Sequence, residues 1–289
     1  MTLFPGVALV TGAASGERAP QGQPVVITSQ FLQYSVGIGR ATAISFAKEG
    51  CLKICICDRD VAGLKATKSL ITSTIPDGKE KIQVLLKQVD MLEEFQVVDF
   101  LESVSFNFGR VDYCVNAAGV LGNNKRSTET TAQQFDLING INYRGAWLMS
   151  RAELKQMLSQ DPLPSHDGRP GARGAIVNIA SQLGVVSRPN APAYCASKAA
   201  VISMTKCDAI DYSKDSIRVN CVCPGVIATP MTQADPSFLE ALQPAIDIAP
   251  MKRMGTAQEI ADTCLFLCSS KSSFVQGHAM VVDGGYVIN

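Results

Sequence analysis

Three side chains in the second half of the sequence have the chemistry to move a proton. Tyr194 and Lys198 are four residues apart, so on a helix they lie on one face and reach the same target. A free tyrosine has a pKa of about 10, and a neighbouring ammonium group lowers that pKa toward the neutral range. Ser181, thirteen residues before Tyr194, could hydrogen-bond the same substrate oxygen. The set predicts proton transfer at a carbonyl or alcohol oxygen; the alternative is a plain surface pair on a helix.

A glycine-containing segment follows the first apolar run and is typical of phosphate binding. Residues 11–16 read Thr-Gly-Ala-Ala-Ser-Gly, and residues 37–41 read Gly-Ile-Gly-Arg-Ala. Glycines let the backbone approach a diphosphate, whose charge then faces the amides of a helix N-terminus. We therefore predict a dinucleotide site that includes Gly12, Ser15, Gly16, Gly37, Ile38 and Gly39.

Polar residues at the ends of the next predicted strands extend this site. Asp58 ends the second strand, where a carboxylate accepts hydrogen bonds from an adenosine ribose and repels a 2′-phosphate, which favours NAD over NADP. Arg59 beside it leaves NADP open, and a helix N-cap is the alternative role for Asp58. Asp90 follows the third strand and is predicted to bind the adenine amino group or to cap the next helix.

Small residues follow the fourth predicted strand, in the stretch Asn116, Ala117, Ala118 and Gly119. Small side chains let the chain pass close to a cofactor, so we assign Asn116, Ala117 and Gly119 to the same site. The alternative for Asn116 is a strand-end cap.

The elements that must position these residues alternate along the chain. Apolar runs such as 7–10 and 52–57 predict strands, and amphipathic segments such as 39–49 predict helices, including one long helix over 132–158. This alternation predicts an α/β fold with a parallel sheet covered by helices on both faces. The chain shows no internal repeat and no linker, so we predict a single domain over 1–289.

Composition excludes several classes of function. The 289 residues carry 26 basic and 26 acidic side chains and a formal net charge of zero, so nothing favours nucleic acid or an anionic membrane as partner. The first residues lack a basic and then apolar leader, and we expect a cytoplasmic protein. The ten cysteines lie mostly within apolar segments, which predicts reduced thiols rather than a disulfide framework or a metal site.

The ordered set of motifs resembles the short-chain dehydrogenase/reductase family over nearly the whole chain. The resemblance implies a Rossmann-type doubly wound sheet and makes Tyr194 the general acid/base. It also implies that Lys198 holds the nicotinamide ribose and lowers the tyrosine pKa, and that Ser181 orients the substrate oxygen. Asn142, in the stretch Asn-Tyr-Arg-Gly, matches the asparagine that holds a proton-relay water.

Two C-terminal stretches carry the resemblance further. Residues 224–229 read Pro-Gly-Val-Ile-Ala-Thr and match the segment that holds the nicotinamide carboxamide, which implicates Pro224, Gly225, Ile227 and Thr229. Residues 283–285 read Asp-Gly-Gly and match a strand end near a tetramer interface. A homo-oligomer, either tetramer or dimer, is therefore the expected assembly.

The glycine turn departs from the family pattern Thr-Gly-x-x-x-Gly-x-Gly, which is uninterrupted. Removing 21 residues, 17–37 or equivalently 16–36, restores a full match. We favour a translated intron or gene-model error, because the flanking codons can carry splice-like strings in phase; a genuine surface insertion is the alternative. The entropic cost of closing a loop grows only logarithmically with loop length, so the position of the insert matters more than its length. An insert here can displace the amides that face the diphosphate, and we expect weak dinucleotide binding.

The sequence thus predicts an oxidoreductase that transfers a hydride between NAD(P) and a secondary alcohol or ketone. NAD is the favoured cofactor. A same-fold isomerase or dehydratase-type tailoring enzyme is one alternative, and a form with impaired cofactor binding is another. A predicted substrate loop over 230–251, together with 183–192, carries few charges and favours a moderately apolar small molecule.

Overall fold

The apolar runs of the sequence pair as parallel strands in a computed structural model that describes residues 2–14, 37–74, 82–164, 168–233 and 236–289. The strands are β1 (Val7–Thr11), β2 (Lys53–Asp58), β3 (Gln83–Gln88), β4 (Tyr113–Asn116), β5 (Gly174–Ile179), β6 (Ile217–Pro224), β7 (Ile227–Ala228), β8 (Gly255–Thr256) and β9 (Ala279–Val282). Seven of them form one parallel sheet in the order β3-β2-β1-β4-β5-β6-β9, and β7 pairs with β8 apart from it. The predicted α/β class with a doubly wound parallel sheet is confirmed.

Helices cover both faces of this sheet. They are α1 (Ile38–Lys48), α2 (Val61–Ser73), α3 (Glu94–Phe108), α4 (Ala132–Asn139), α5 (Ala146–Leu158), α6 (Pro192–Tyr212), α7 (Pro230–Gln233), α8 (Pro236–Ile248) and α9 (Ala257–Cys268). Alternate residues of β1 point to opposite faces: Ala8 and Val10 pack with α1, α2 and α9, whereas Val7 and Leu9 pack with α3 and α5. Burial on both faces explains why the strands read as continuous apolar runs.

The strand register brings the carboxyl ends of the central strands to one edge. Thr11 at the end of β1 lies opposite Cys57 on one side and Asn116 on the other, and Asn116 lies opposite Asn178 of β5. Ligands of open parallel sheets bind at this edge, where the strand order reverses.

Two segments differ from the secondary structure that the sequence predicts for them. The helix expected over 132–158 is interrupted by a wide π-helical turn at Gly140–Gly145, where the backbone packs closely on the chain before α3. A Cβ atom at Gly145 would lie 2.7 Å from Met91 Cβ, so only glycine fits. The segment 230–251, expected as a substrate loop, contains the helices α7 and α8.

Candidate active site

Ser181 and Tyr194 meet at the carboxyl edge of the sheet. Ser181 follows the end of β5 and is buried, and Tyr194 lies in the first turn of α6. Pro192 at the first helical position sets the start of that helix. The Ser181 hydroxyl group lies close enough to that of Tyr194 to favour the phenolate and lower its pKa, and Ser181 Oγ accepts the Leu183 amide at 3.1 Å. The sequence therefore brings the predicted proton donor and its serine neighbour into contact.

Lys198 lies one turn further along the same face of α6. Its Nζ atom is 5.9 Å from the centre of the Tyr194 ring and donates to the backbone oxygen of Ile179 at 2.8 Å. The side chain is buried, and desolvation lowers the pKa of the ammonium group to about 8. The four-residue spacing thus predicted the shared helix face correctly.

The pKa of Tyr194 shifts in the direction opposite to the expected one. Burial raises it above the ordinary tyrosine value, and the hydrogen bond from Ser181 and the positive charge of Arg188 offset this only in part. The expected lowering by Lys198 is absent in the protein alone, because desolvation of the phenolate outweighs the neighbouring charges.

Asn142 lies in the π-helical turn and closes the site from a third side. Its Oδ1 atom accepts the Val120 amide at 2.8 Å, and its Nδ2 atom donates to the Val120 oxygen at 2.9 Å and to Ser197 Oγ at 3.1 Å. A Cβ atom at Gly119 would lie 3.1 Å from Asn142 Oδ1 and 3.5 Å from Lys198 Nζ. The stretch after β4 therefore lies close to both of these side chains.

The described part of the glycine turn holds the start of α1 against the end of β1. Gly12 has φ +66°, which favours glycine, and its added Cβ would lie 2.8 Å from the Ala118 amide. A Cβ atom at Gly39 would lie 2.7 Å from the Thr11 oxygen. Gly37 is the N-cap of α1 and Ile38 is its first residue. Ser15 and Gly16, which were also predicted to bind the dinucleotide, lie outside the described residues, as do residues 17–36 of the inserted segment.

Two further residues that the motif analysis did not single out hold this turn. Thr11 Oγ1 accepts the amides of Ala117 and Ala118 at 3.0 and 3.1 Å, which ties β1 to the chain after β4. The buried guanidinium of Arg40 donates to the Ala14 oxygen at 2.8 Å. Thr11 and Arg40 stand in the quoted motifs, but the sequence carries no signal for their partners.

The predicted adenosine-binding carboxylates make local backbone contacts. Asp58 accepts the Ala14 amide at 3.1 Å with one oxygen and the Asp60 amide at 3.1 Å with the other. The N-cap of α2 is Asp60 rather than Asp58, so the capping alternative for Asp58 is wrong. Asp90 accepts the Leu92 amide at 3.0 Å, and it does not cap α3, whose N-cap is Glu93.

The Asn116 side chain belongs to a buried polar network. Its Nδ2 atom donates to Glu153 Oε2 and to Asn178 Oδ1, both at 3.0 Å. Glu153 lies on α5 and is fully buried, and desolvation raises its pKa to about 7. Only the backbone of Asn116 is left to face a ligand at the sheet edge. No pattern in the sequence marks Glu153, because a glutamate at this position of a predicted helix is typical of an exposed helix surface.

The stretch after β6 lies beside the end of β9. Pro224 ends β6, and a Cβ atom at Gly225 would lie 2.7 Å from Asp283 Cα. Ile227 and Thr229 are buried, and the oxygen of Ile227 accepts Thr232 Oγ1 at 2.6 Å. The predicted carboxamide segment is thus anchored at the same sheet edge as Ser181.

Three further findings concern the cysteines, possible metal-binding groups and possible membrane-spanning helices. All ten cysteines are free thiols. Among the described residues, no group of three His, Cys, Asp or Glu side chains could hold a metal ion, and no helix is long and apolar enough to cross a membrane.

The fold and this site define a class of protein: the chain belongs to the short-chain dehydrogenase/reductase family. The family model described as "Enoyl-(Acyl carrier protein) reductase" matches residues 34–287. The match begins after β1 and most of the inserted segment.

Individual relatives support the same family. The chain is 37% identical over 254 residues to short-chain dehydrogenase fogB of Aspergillus ruber, covering 86% of this chain and 92% of the relative. It is 39% identical over 206 residues to 2-(R)-hydroxypropyl-CoM dehydrogenase of Xanthobacter autotrophicus, covering 71% and 78%. It is also 35% identical over 255 residues to levodione reductase of Leifsonia aquatica, covering 86% and 90%. A solved structure of levodione reductase superimposes with a TM-score of 0.82 at 33% identity and covers 99% of each chain.

Proposed function

We propose that the protein is an NAD(P)-dependent oxidoreductase that interconverts a secondary alcohol and a ketone. The observation that carries this proposal is the contact between the Ser181 and Tyr194 hydroxyl groups, with Lys198 and Asn142 around them. Relatives that are named a reductase and a dehydrogenase support the same reaction class.

A dinucleotide fits the residues present. Cβ atoms at Gly12 and Gly39 would collide with neighbouring backbone, so glycines there let the backbone at the start of α1 approach a diphosphate, as binding at a helix N-terminus requires. Asp58 would accept the adenosine ribose hydroxyls, and its charge favours NAD. Lys198 would bind the nicotinamide ribose, and the segment from Pro224 to Thr229 would bind the carboxamide. When bound, the nicotinamide supplies or accepts the hydride.

The side chains of the protein manage the proton. In the reducing direction, Ser181 holds the substrate oxygen, and the Tyr194 hydroxyl donates its proton to that oxygen as charge develops there. Burial disfavours the phenolate that remains, and the Lys198 ammonium group, which does not lower the Tyr194 pKa in the protein alone, would favour the charged form only by approaching the hydroxyl more closely than it does in this structure. Asn142 would orient water for the return of the proton. In the oxidising direction the same groups act in reverse.

The test follows the NADH absorbance band with a panel of ketones and secondary alcohols. Tyr194→Phe removes the transferable proton and one hydroxyl group only, so we expect turnover to fall by at least about a hundredfold. Nucleotide affinity, measured by titration, should change little. Retained turnover in Tyr194→Phe would contradict the assignment of the proton donor. Product formation without any change in the NADH band would favour the isomerase or dehydratase alternative.

A further inference from the structure

Ser197, the residue directly before Lys198 on α6, connects two parts of the site through one hydroxyl group. Its Oγ atom accepts the Asn142 side-chain amide at 3.1 Å and donates to the backbone oxygen of Tyr194 at 2.7 Å. A serine hydroxyl has a single proton, so donation to Tyr194 makes Ser197 the acceptor toward Asn142. The hydroxyl therefore links the π-helical turn to the first turn of α6.

The Asn142 side chain is also held by the chain that follows β4. It accepts the Val120 amide at 2.8 Å and donates to the Val120 oxygen at 2.9 Å. Within the described part of the chain, the contacts of Asn142 use both N–H groups of its amide and leave one lone pair of Oδ1. Asn142 and Ser197 are 1% and 0% exposed, so an amide N–H that lost its serine acceptor would find no water in exchange.

This hydrogen-bonded pair lies beside the side chains that handle the proton. The position of an added Cβ atom at Gly119 is 3.1 Å from Asn142 Oδ1 and 3.5 Å from Lys198 Nζ. The Ser197 hydroxyl is buried and bonded to protein groups as acceptor and as donor. Ser197 can therefore act on the reaction only through the position of Asn142 relative to Tyr194 and Lys198.

A second contact fixes the same part of α6 independently of Ser197. Gly184, in the loop that follows Ser181, packs on the backbone of Lys198, and a Cβ atom there would lie 2.7 Å from the Lys198 carbonyl carbon. Close packing thus sets the position of this loop on α6, whereas a hydrogen bond of Ser197 ties the π-helical turn to it. Removal of the serine oxygen should loosen the connection of Asn142 to α6 and leave the packing of Gly184 unchanged.

We propose, on the basis of the proposed function, that Ser197 is a positioning residue that holds Asn142 in the orientation needed for the return of the proton to Tyr194. The hydroxyl group fixes the plane of the Asn142 amide, and Oδ1 then stays beside the point that it shares with Lys198. Ser197 contributes no proton of its own, because its only proton is donated to the Tyr194 backbone.

Ser197→Ala removes one oxygen atom and both hydrogen bonds. With NADH and a ketone that the wild type reduces, we expect kcat to fall by about tenfold, whereas the nucleotide affinity measured by titration should stay within about twofold. The solvent deuterium isotope effect on kcat should rise, because proton transfer then limits the rate.

Ser272→Ala is the matched control for the loss of a buried serine. Ser272 is 1% exposed, accepts the Arg218 guanidinium at 2.8 Å and donates to the Leu267 oxygen at 2.9 Å. Arg218 lies near the beginning of β6, at the edge of the sheet opposite to the site. Ser272→Ala should therefore lower the melting temperature and leave both kcat and the isotope effect unchanged.

A double-mutant cycle shows whether Ser197 acts through Asn142. In the Asn142→Ala background, Ser197→Ala should lower kcat by less than about twofold, because the side chain that it positions is already gone. A second loss of about tenfold in that background would overturn the positioning role, and so would an unchanged kcat in Ser197→Ala alone.

The outcomes separate this proposal from the proposed function. Loss of turnover in Tyr194→Phe supports the oxidoreductase, and an unchanged kcat in Ser197→Ala then overturns the positioning role only. If Ser197→Ala does not fold, Ser197→Cys takes its place, since a thiol keeps a weaker hydrogen-bonding group. A lower kcat with unchanged nucleotide affinity supports the role, and a wild-type kcat overturns it.

A measurement on the protein alone covers the case in which the wild type reduces no ketone. Solvent exchange of the Asn142 side-chain amide protons is then followed by NMR in wild type and Ser197→Ala. Exchange that is faster in the variant by about tenfold or more supports the hold of Ser197 on Asn142. Equal exchange rates overturn it.

Discussion

At the level of single residues, the proton-transfer set owes its environment to contacts that lie far apart in sequence. The spacing of Tyr194 and Lys198 indicated a shared helix face, and the structure has it. The sign of the tyrosine pKa shift was not predictable, since it depends on the burial of the hydroxyl group in the folded protein. The partner of the Lys198 ammonium group, the Ile179 oxygen, is equally a product of the fold.

Asp58 provides a prediction about cofactor choice. Asp58→Asn removes the negative charge that repels a 2′-phosphate and keeps an oxygen that can accept the Ala14 amide. We expect the preference for NAD over NADP, measured as the ratio of kcat/KM values, to fall by about tenfold. Asp60→Asn, which alters the neighbouring cap of α2, should leave the ratio unchanged. An unaltered ratio in Asp58→Asn would remove Asp58 from the cofactor site.

At the level of elements, the inserted segment interrupts the glycine turn that would bind the cofactor, whereas the proton-transfer residues lie on other elements. Cofactor binding and proton transfer therefore need separate tests. Gly12 and Gly39 pack against each other, and Arg40 reaches the Ala14 oxygen, so β1 and α1 keep a close arrangement on either side of the inserted segment. The ends of the family motif are therefore in place on both sides of the interruption.

Deletion of residues 17–37 tests the effect of the insert on nucleotide affinity. The deletion restores an uninterrupted Thr-Gly-x-x-x-Gly-x-Gly turn, whose amides can face the diphosphate. We expect the deleted form to bind NADH at least about tenfold more tightly than the full chain in a fluorescence titration. Melting temperatures without nucleotide serve as the control for folding. Equal affinities would show that the insert leaves the phosphate site open.

The buried carboxyl group on α5 makes stability depend on pH. Burial raises the pKa of Glu153 to about 7, above its unfolded value of about 4.3. Its contribution to stability is therefore fully present below about pH 4 and is lost as the pH rises through about 7. Between pH 5 and 8 we expect the wild type to lose about 2.5 kcal/mol of unfolding free energy through this group.

Glu153→Gln isolates that contribution. Glutamine keeps an oxygen that accepts the Asn116 amide and cannot ionise. The stability difference between wild type and variant, measured by urea unfolding, should therefore shift toward the variant as the pH rises from 5 to 8. Asp208, whose pKa burial raises to about 6, is present in both proteins, and its charge contributes to the raised pKa of Glu153. A difference that is constant with pH would show that Glu153 does not titrate in this range.

At the level of the whole molecule, the sequence predicted what depends on periodicity and motif order. Apolar runs such as 7–10 and 52–57 became the strands β1 and β2, and the alternation with helices predicted the parallel sheet. The π-helical turn at Gly140–Gly145 was not predictable, because it follows from close packing on Met91. The Glu153 network was missed for the same reason: it is assembled from segments that share no local pattern. The homo-oligomeric assembly stays a prediction.

Transfer of isotope from the cofactor tests the central claim most directly. The deleted and full-length forms are incubated with 4R- or 4S-deuterated NADH and a ketone that is turned over, and the alcohol is examined by mass spectrometry and NMR. The account predicts that one of the two labelled cofactors delivers deuterium to the carbinol carbon, and that Tyr194→Phe abolishes this transfer. Alcohol that carries no deuterium from either cofactor would contradict hydride transfer by this protein.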